Sequence, residues 1–290
     1  MAWTATDISD QTGRVHVVTG ANGDIGAEIT TALAAAGATV VMACRNVRSA
    51  QEIADRVDGD VRVAELDLAD LGSVRSFADS LDAVDVLVNN AGLLSVPLSR
   101  TGAGVESQLG VNHLGHFALT GLLLERLRDR VVTVSSVAHR SAKGLDLDDV
   151  DFSRRPYDKQ LAYQQSKLAN LLFARELQRK LERADAPQRS YAAHPGVTVT
   201  GAPAVESFGD RVAGVFMKTF GQQPVQAATS VLYAATEPDA DPATYWGPTG
   251  FLGVRGPVGA AKSSKLSQDT ALAAELWRRS EELTGVTFPF

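Results

Sequence analysis

Glycines at positions 20, 23 and 26 separate a short apolar run at 15–19 from an alanine-rich stretch at 25–36, in the segment VHVVTGANGDIGAEI. The pattern reads as a strand that enters a tight turn and leaves as a helix. Glycine lets the backbone of such a turn approach a ligand closely, and the first N–H groups of the helix then face negative charge. A pyrophosphate fits this description, held by Gly20, Asn22, Gly23, Asp24, Ile25 and Gly26. Asp24 is the chemical oddity of the turn. A carboxylate is favoured in a first helical turn by the helix dipole, yet beside a pyrophosphate it adds like-charge repulsion unless it points away.

The same strand-then-helix alternation continues down the chain. Strands are predicted at 39–43, 61–66, 84–89, 130–135 and 188–194. Helices are predicted at 46–57, 71–81, 163–181, 224–235 and 269–284, with one long helix over 105–127, either alone or preceded by a short one. This rhythm implies an α/β fold: a Rossmann-type, doubly wound, mostly parallel seven-stranded sheet with helices on both faces. No repeat or linker divides residues 1–290, so a single dinucleotide-binding domain is expected. The polar stretch 138–160 reads as a surface excursion. Around 197–225, Phe208, Val212, Phe216 and Phe220 recur at helical spacing, which reads either as a helix packed on the body or as a substrate flap over an apolar pocket. In a C-terminal extension around 245–290, residues 245–250 either shape a pocket wall or simply turn. The last helix, with Trp277, is expected on the edge of the body.

Composition removes several function classes. The net charge of -6 comes from scattered acids without a basic patch, which argues against a nucleic-acid partner. A single cysteine, Cys44, excludes an intrachain disulfide and a cysteine-cluster metal site, and buried packing is its expected role. His113 and His116 are three apart but have no third ligand at convincing spacing, so no metal is expected. Neither a transmembrane anchor nor a signal peptide is legible, and a cytoplasmic location is the default expectation.

After the second predicted strand, where this fold meets the adenosine ribose, stands Arg45 rather than an acid. An arginine pairs with a 2'-phosphate, so NADP(H) is favoured over NAD(H), which stays open. Arg48 either assists or is a solvated helix charge. Asp67, followed by Leu68, either accepts from the adenine amino group or caps a helix. Asn89, Asn90, Ala91 and Gly92 close the fourth strand and are placed along the cofactor crevice. Further on, Tyr163 and Lys167 in YQQSK share one helix face. A nearby cation favours the phenolate, which helps a tyrosine whose free pKa is about 10.

In this order, the Gly20–Gly26 turn, Asn89–Gly92, Asn112, Ser136, Tyr163/Lys167 and Pro195–Gly196 resemble the short-chain dehydrogenase/reductase superfamily. The stretches ACRN, VNHLGHF, VSSVAH, YQQSKLANLLFARELQRKL and WRRSEELTG resemble its retinol dehydrogenase-like branch. The resemblance implies NADP(H)-linked interconversion of a lipophilic alcohol and an aldehyde or ketone. It makes Tyr163 the general acid–base and has Ser136 hold the substrate oxygen. Lys167 lowers the tyrosine pKa and binds the nicotinamide ribose, while Asn112 holds a relay water. Pro195, Gly196, Val197 and Thr200 contact the nicotinamide and pyrophosphate. His139 and His194 read as polar pocket or structural residues. The resemblance also implies a homodimer or homotetramer that uses the Asn112 and Tyr163 helices as contact surfaces. The chain departs from the family turn at Asp24, which takes the place of the middle glycine, and at Gly23, which replaces a frequent serine. A dinucleotide-binding sensor with little turnover is the alternative from another class.

Overall fold

The computed structural model describes residues 2–198 and 221–290. Thr200 and the aromatic positions 208, 216 and 220 of the candidate flap, with Val212, lie outside the described residues.

The strands are β1 (Val15–Thr19), β2 (Thr39–Cys44), β3 (Val61–Glu65), β4 (Val84–Asn89), β5 (Leu127–Val134), β6 (Arg189–Ala193), β7 (Tyr245–Pro248) and β8 (Val258–Ala260). They form one eight-stranded sheet in the order β3-β2-β1-β4-β5-β6-β7-β8. All pairs are parallel except β7–β8, which is antiparallel. The expected seven parallel strands are therefore present, with a hairpin strand at the edge. The seventh is the 245–250 stretch, which pairs with β6 through Ala192 and Ala193.

Parallel strands are covered on both faces and so read as continuous apolar runs. Neighbouring residues serve opposite layers. Val18, Val40, Met42, Val88 and Val132 face a layer built on α1 (Asp24–Ala35), α2 (Val47–Ala54) and α7 (Pro224–Thr236). Val17, Val41, Leu87 and Val131 face α3 (Leu71–Asp79), α5 (Gly115–Leu123) and α6 (Lys159–Arg183). Side-chain caps set several helix starts: Asn46 for α2, Asp70 for α3 and Asp158 for α6.

The structure corrects two expectations. The stretch 105–127 is not one regular helix. A short α4 (Ser107–Leu109) runs into a π-turn at Gly110–Leu114, then α5, then a 3-10 turn at Leu124–Arg126. The 138–160 stretch is not a plain surface excursion, because Asp149, Val150 and Phe152 are buried. Trp277 is carried by α8 (Thr270–Thr284). It packs over α5 and α6, with ring centroids 5.1 Å from Phe117 and 4.5 Å from Phe288. α8 and the tail thus cover part of the α5 and α6 faces. A side chain at Gly121 would begin 2.7 Å from Val286.

Candidate active site

A cavity of about 1050 Å³ opens along the carboxyl ends of the strands. Its lining comes from the turn after β1 (Gly20, Asn22–Gly26), the ends of β2 and β3 (Cys44–Asn46, Leu66–Leu68), and the loop after β4 (Asn90–Leu94). The loops after β5 and β6 add Ser135–Ala138 and Pro195–Thr198, and α6 adds Tyr163 and Lys167. A position at strand carboxyl ends is where open parallel sheets bind ligands.

The glycine turn is shaped by close contacts. Gly20 has φ +61, and a Cβ at Gly26 would lie 2.5 Å from the Gly20 carbonyl oxygen. Gly23 is different. It is the N-cap of α1 in extended backbone, and a Cβ there meets nothing nearer than 3.4 Å. It supplies no side-chain acceptor, so the first-turn amides of α1 are left for a ligand. Asp24 is the first residue of α1, exposed and on the cavity wall.

Arg45 is exposed on the cavity wall just after β2 and makes no hydrogen bond or ion pair with another described residue. Arg48 pairs with Glu52 at 3.6 Å on the surface and does not line the cavity. Asp67 does, and its Oδ1 accepts from the Ala69 N–H at 2.9 Å. The cap of α3 is Asp70 instead.

Two expected cofactor or catalytic residues stand behind the wall. Asn89 is buried, with Nδ2 donating to Thr120 Oγ1 at 3.1 Å, and braces β4 against α5. It does not line the crevice because strand alternation turns it inward. Asn112 sits in the π-turn with its amide spent. Nδ2 donates to Leu93 O at 3.0 Å and Ser166 Oγ at 2.9 Å, while Oδ1 accepts from Leu93 N at 2.7 Å. Asn112 therefore ties the loop after β4 to α6. Its backbone oxygen accepts from His116 Nδ1 at 3.0 Å, and His116 Nε2 faces Thr19 Oγ1 at 2.8 Å. Thr19 Oγ1 in turn accepts from the Asn90 and Ala91 N–H groups, each at 2.9 Å. His113 turns to Ser280 Oγ at 2.8 Å, so the two histidines share no ligand position.

Ser136, Tyr163 and Lys167 all reach the cavity. Tyr163 is half-buried and Lys167 is buried at 4% exposure. Burial raises the Tyr163 pKa, and the Ser136 hydroxyl acts on the phenol in the opposite direction. Burial dominates, and it also lowers Lys167 itself to about 8. Lys167 Nζ donates to Val134 O at 3.2 Å. Ser135 holds the helix rather than a substrate, its Oγ donating to Lys167 O at 2.7 Å.

The family model for short chain dehydrogenase matches residues 14–146. Human retinol dehydrogenase 13 is 36% identical over 295 aligned residues, which cover 96% of this chain and 86% of that protein. The chain belongs to the short-chain dehydrogenase family. Its likeness extends to a crystal structure of an uncharacterized protein from Mycobacterium paratuberculosis, at 44% identity, TM-score 0.88 and full coverage of both chains. RhlG of Pseudomonas aeruginosa, solved as an NADP active-site complex, is 25% identical with TM-score 0.56 over 78% of this chain and 90% of that one.

The family binds a nicotinamide dinucleotide, and this dehydrogenase has the donors for one: uncapped α1 amides at one point of the cavity and buried Lys167 at another. Lining residues that the sequence reading does not single out include Leu93, Leu94, Val111, Val137 and Ala138. Most follow the ends of β4 and β5 directly, and that position is the signal that identifies them. His139 and His194 are buried away from the lining. Among the described residues no helix is long and apolar enough to cross a membrane.

Proposed function

We propose that this short-chain dehydrogenase is an NADP(H)-dependent oxidoreductase that interconverts a lipophilic alcohol and its aldehyde or ketone, with Tyr163 as general acid–base. The observation that carries this reading is one cavity shared by the α1 amides after β1, Arg45 after β2, Ser136 after β5, and Tyr163 and Lys167 on α6. Arg45 is without a competing partner among the described residues and is suited to a 2'-phosphate. The NADP complex of RhlG supports the same cofactor.

NADPH, when bound, supplies the hydride. In reduction the Tyr163 hydroxyl gives its proton to the carbonyl oxygen, and in oxidation the phenolate takes it from the alcohol. Burial keeps the free phenol protonated, which suits the acid role. Ser136 Oγ, beside that phenol, steadies the oxygen as its charge develops, a contribution made mainly in the transition state. Lys167 presents a desolvated ammonium to the cavity, and Asn112 fixes the loop that carries Gly92. A Cβ at Gly92 would stand 3.3 Å from Lys167 Nζ and 3.4 Å from Asn112 Oδ1, so the two groups meet just behind that loop.

Leu93, Leu94, Val137 and Ala138 give the cavity an apolar wall, which supports a lipophilic substrate. Relatives named retinol dehydrogenases support the same class. The test is turnover of NADPH with a panel of lipophilic aldehydes and ketones, retinal included. Tyr163→Phe should lower turnover by about 100-fold or more and leave NADPH binding intact. Unchanged turnover in Tyr163→Phe would remove the assigned acid.

A further inference from the structure

The turn after β6 carries Pro195, Gly196 and Val197 on the cavity wall, and it is held from behind. Gly196 has φ +76, and a Cβ there would lie 2.3 Å from the Val254 carbonyl oxygen, so no other residue fits this bend. The Gly196 N–H donates to His194 Nδ1 at 3.2 Å. The Val197 N–H donates to Val254 O at 2.9 Å. From the other side Gln222 Nε2 donates to Pro195 O at 2.5 Å, and the Gln222 N–H donates to Val197 O at 2.8 Å.

His194 is fully buried and its ring lies against Gly247, where a Cβ would come within 2.0 Å of Nε2. Burial lowers its pKa to about 3, so the imidazole is neutral at physiological pH. Because Nδ1 accepts, the single proton is on Nε2, and that atom has no hydrogen-bond partner among the described residues. A buried donor left unpaired is unfavourable, and an aliphatic side chain would avoid it. What the imidazole gives in return is one bond, and that bond goes to the turn on the cavity wall.

We propose that His194 and Gln222 are positioning residues that clamp the Pro195–Gly196–Val197 turn from opposite sides and so set its approach to bound nicotinamide dinucleotide. The inference rests on the dinucleotide reading of the cavity given above. Neither side chain touches the reacting atoms; both act through the backbone of the turn.

The test compares His194→Asn, His194→Gln and His194→Leu by NADPH fluorescence titration and by thermal melting of the cofactor-free protein. Asn places an acceptor near the Nδ1 position, Gln near the Nε2 position, and Leu nowhere. The Leu and Gln variants should bind NADPH about tenfold more weakly and Asn within about twofold of wild type. Melting should not follow that order, since Leu removes the unpaired donor. Gln222→Met, at a less buried position, should weaken NADPH binding about tenfold by releasing Pro195 O, and it gives the reading if the His194 variants fail to fold. Wild-type affinity in folded His194→Leu or, failing those, in Gln222→Met overturns the clamp. Wild-type protein that binds neither NADPH nor NADH overturns instead the reading on which the clamp rests, and the clamp with it.

Discussion

Lys167 Nζ donates to the Val134 carbonyl oxygen at 3.2 Å and stands 5.8 Å from the centroid of the Tyr163 ring. The ammonium is thus anchored to the end of β5 with the Tyr163 phenol one helical turn away. Burial lowers its pKa to about 8, so it is charged below that pH and neutral above. NADPH affinity should be level from about pH 6.5 to 7.5 and should fall as pH rises through about 8, as the ammonium is lost. Lys167→Met should bind more weakly and lose that pH dependence. Titrations across this range with both proteins check the prediction.

Arg45→Ala should raise the Kd for NADPH by about tenfold or more, the scale of a charge-assisted contact, and change NADH by less than about twofold. Paired titrations with the two cofactors read the selectivity directly. Equal losses for both would place Arg45 on something the cofactors share.

Asp24→Asn should have two opposed effects. Removing a carboxylate from the cavity wall should tighten NADPH binding by about two- to fivefold. Removing the same charge from the first turn of α1 should cost the cofactor-free protein about 0.3–1 kcal/mol. Calorimetric binding and melting on the same samples measure both.

The five histidines of the chain, His16, His113, His116, His139 and His194, are all buried, and burial lowers each to about 3 or 4. In the unfolded chain they titrate near 6.5, so between pH 6.5 and 4 the unfolded state binds more protons. Stability is fully present above pH 6.5 and is lost as pH falls, by up to about 1.4 kcal/mol per pH unit for each histidine. Denaturant unfolding at pH 7.5, 6.0 and 5.0 should show a progressive drop. A flat profile would mean that the imidazoles charge inside the fold.

The parallel sheet was legible because its strands are buried on both faces and show as runs such as VHVVT and TVVMAC. β7 was not, because YWGP carries glycine and proline and has no apolar run; its strand pairing depends on β6, far away in sequence. The cavity's Gly20–Gly26 turn and the Tyr163/Lys167 pair follow from spacing along single elements, and Ser136 from the family resemblance. The place of Asn112 does not, since its amide is used up by Leu93 and Ser166, partners fixed only by the tertiary fold. Trp277 gave the same difficulty: its segment reads as a helix, and only packing shows that the helix covers α5 and α6.

The most direct test of the central claim is titration of the purified, cofactor-free protein with NADPH and, separately, NADH, followed by nicotinamide fluorescence and binding heat. The account predicts tight NADPH binding and markedly weaker NADH binding. Preference for NADH would contradict the role given to Arg45. Binding of neither cofactor by folded protein would contradict the oxidoreductase reading as a whole.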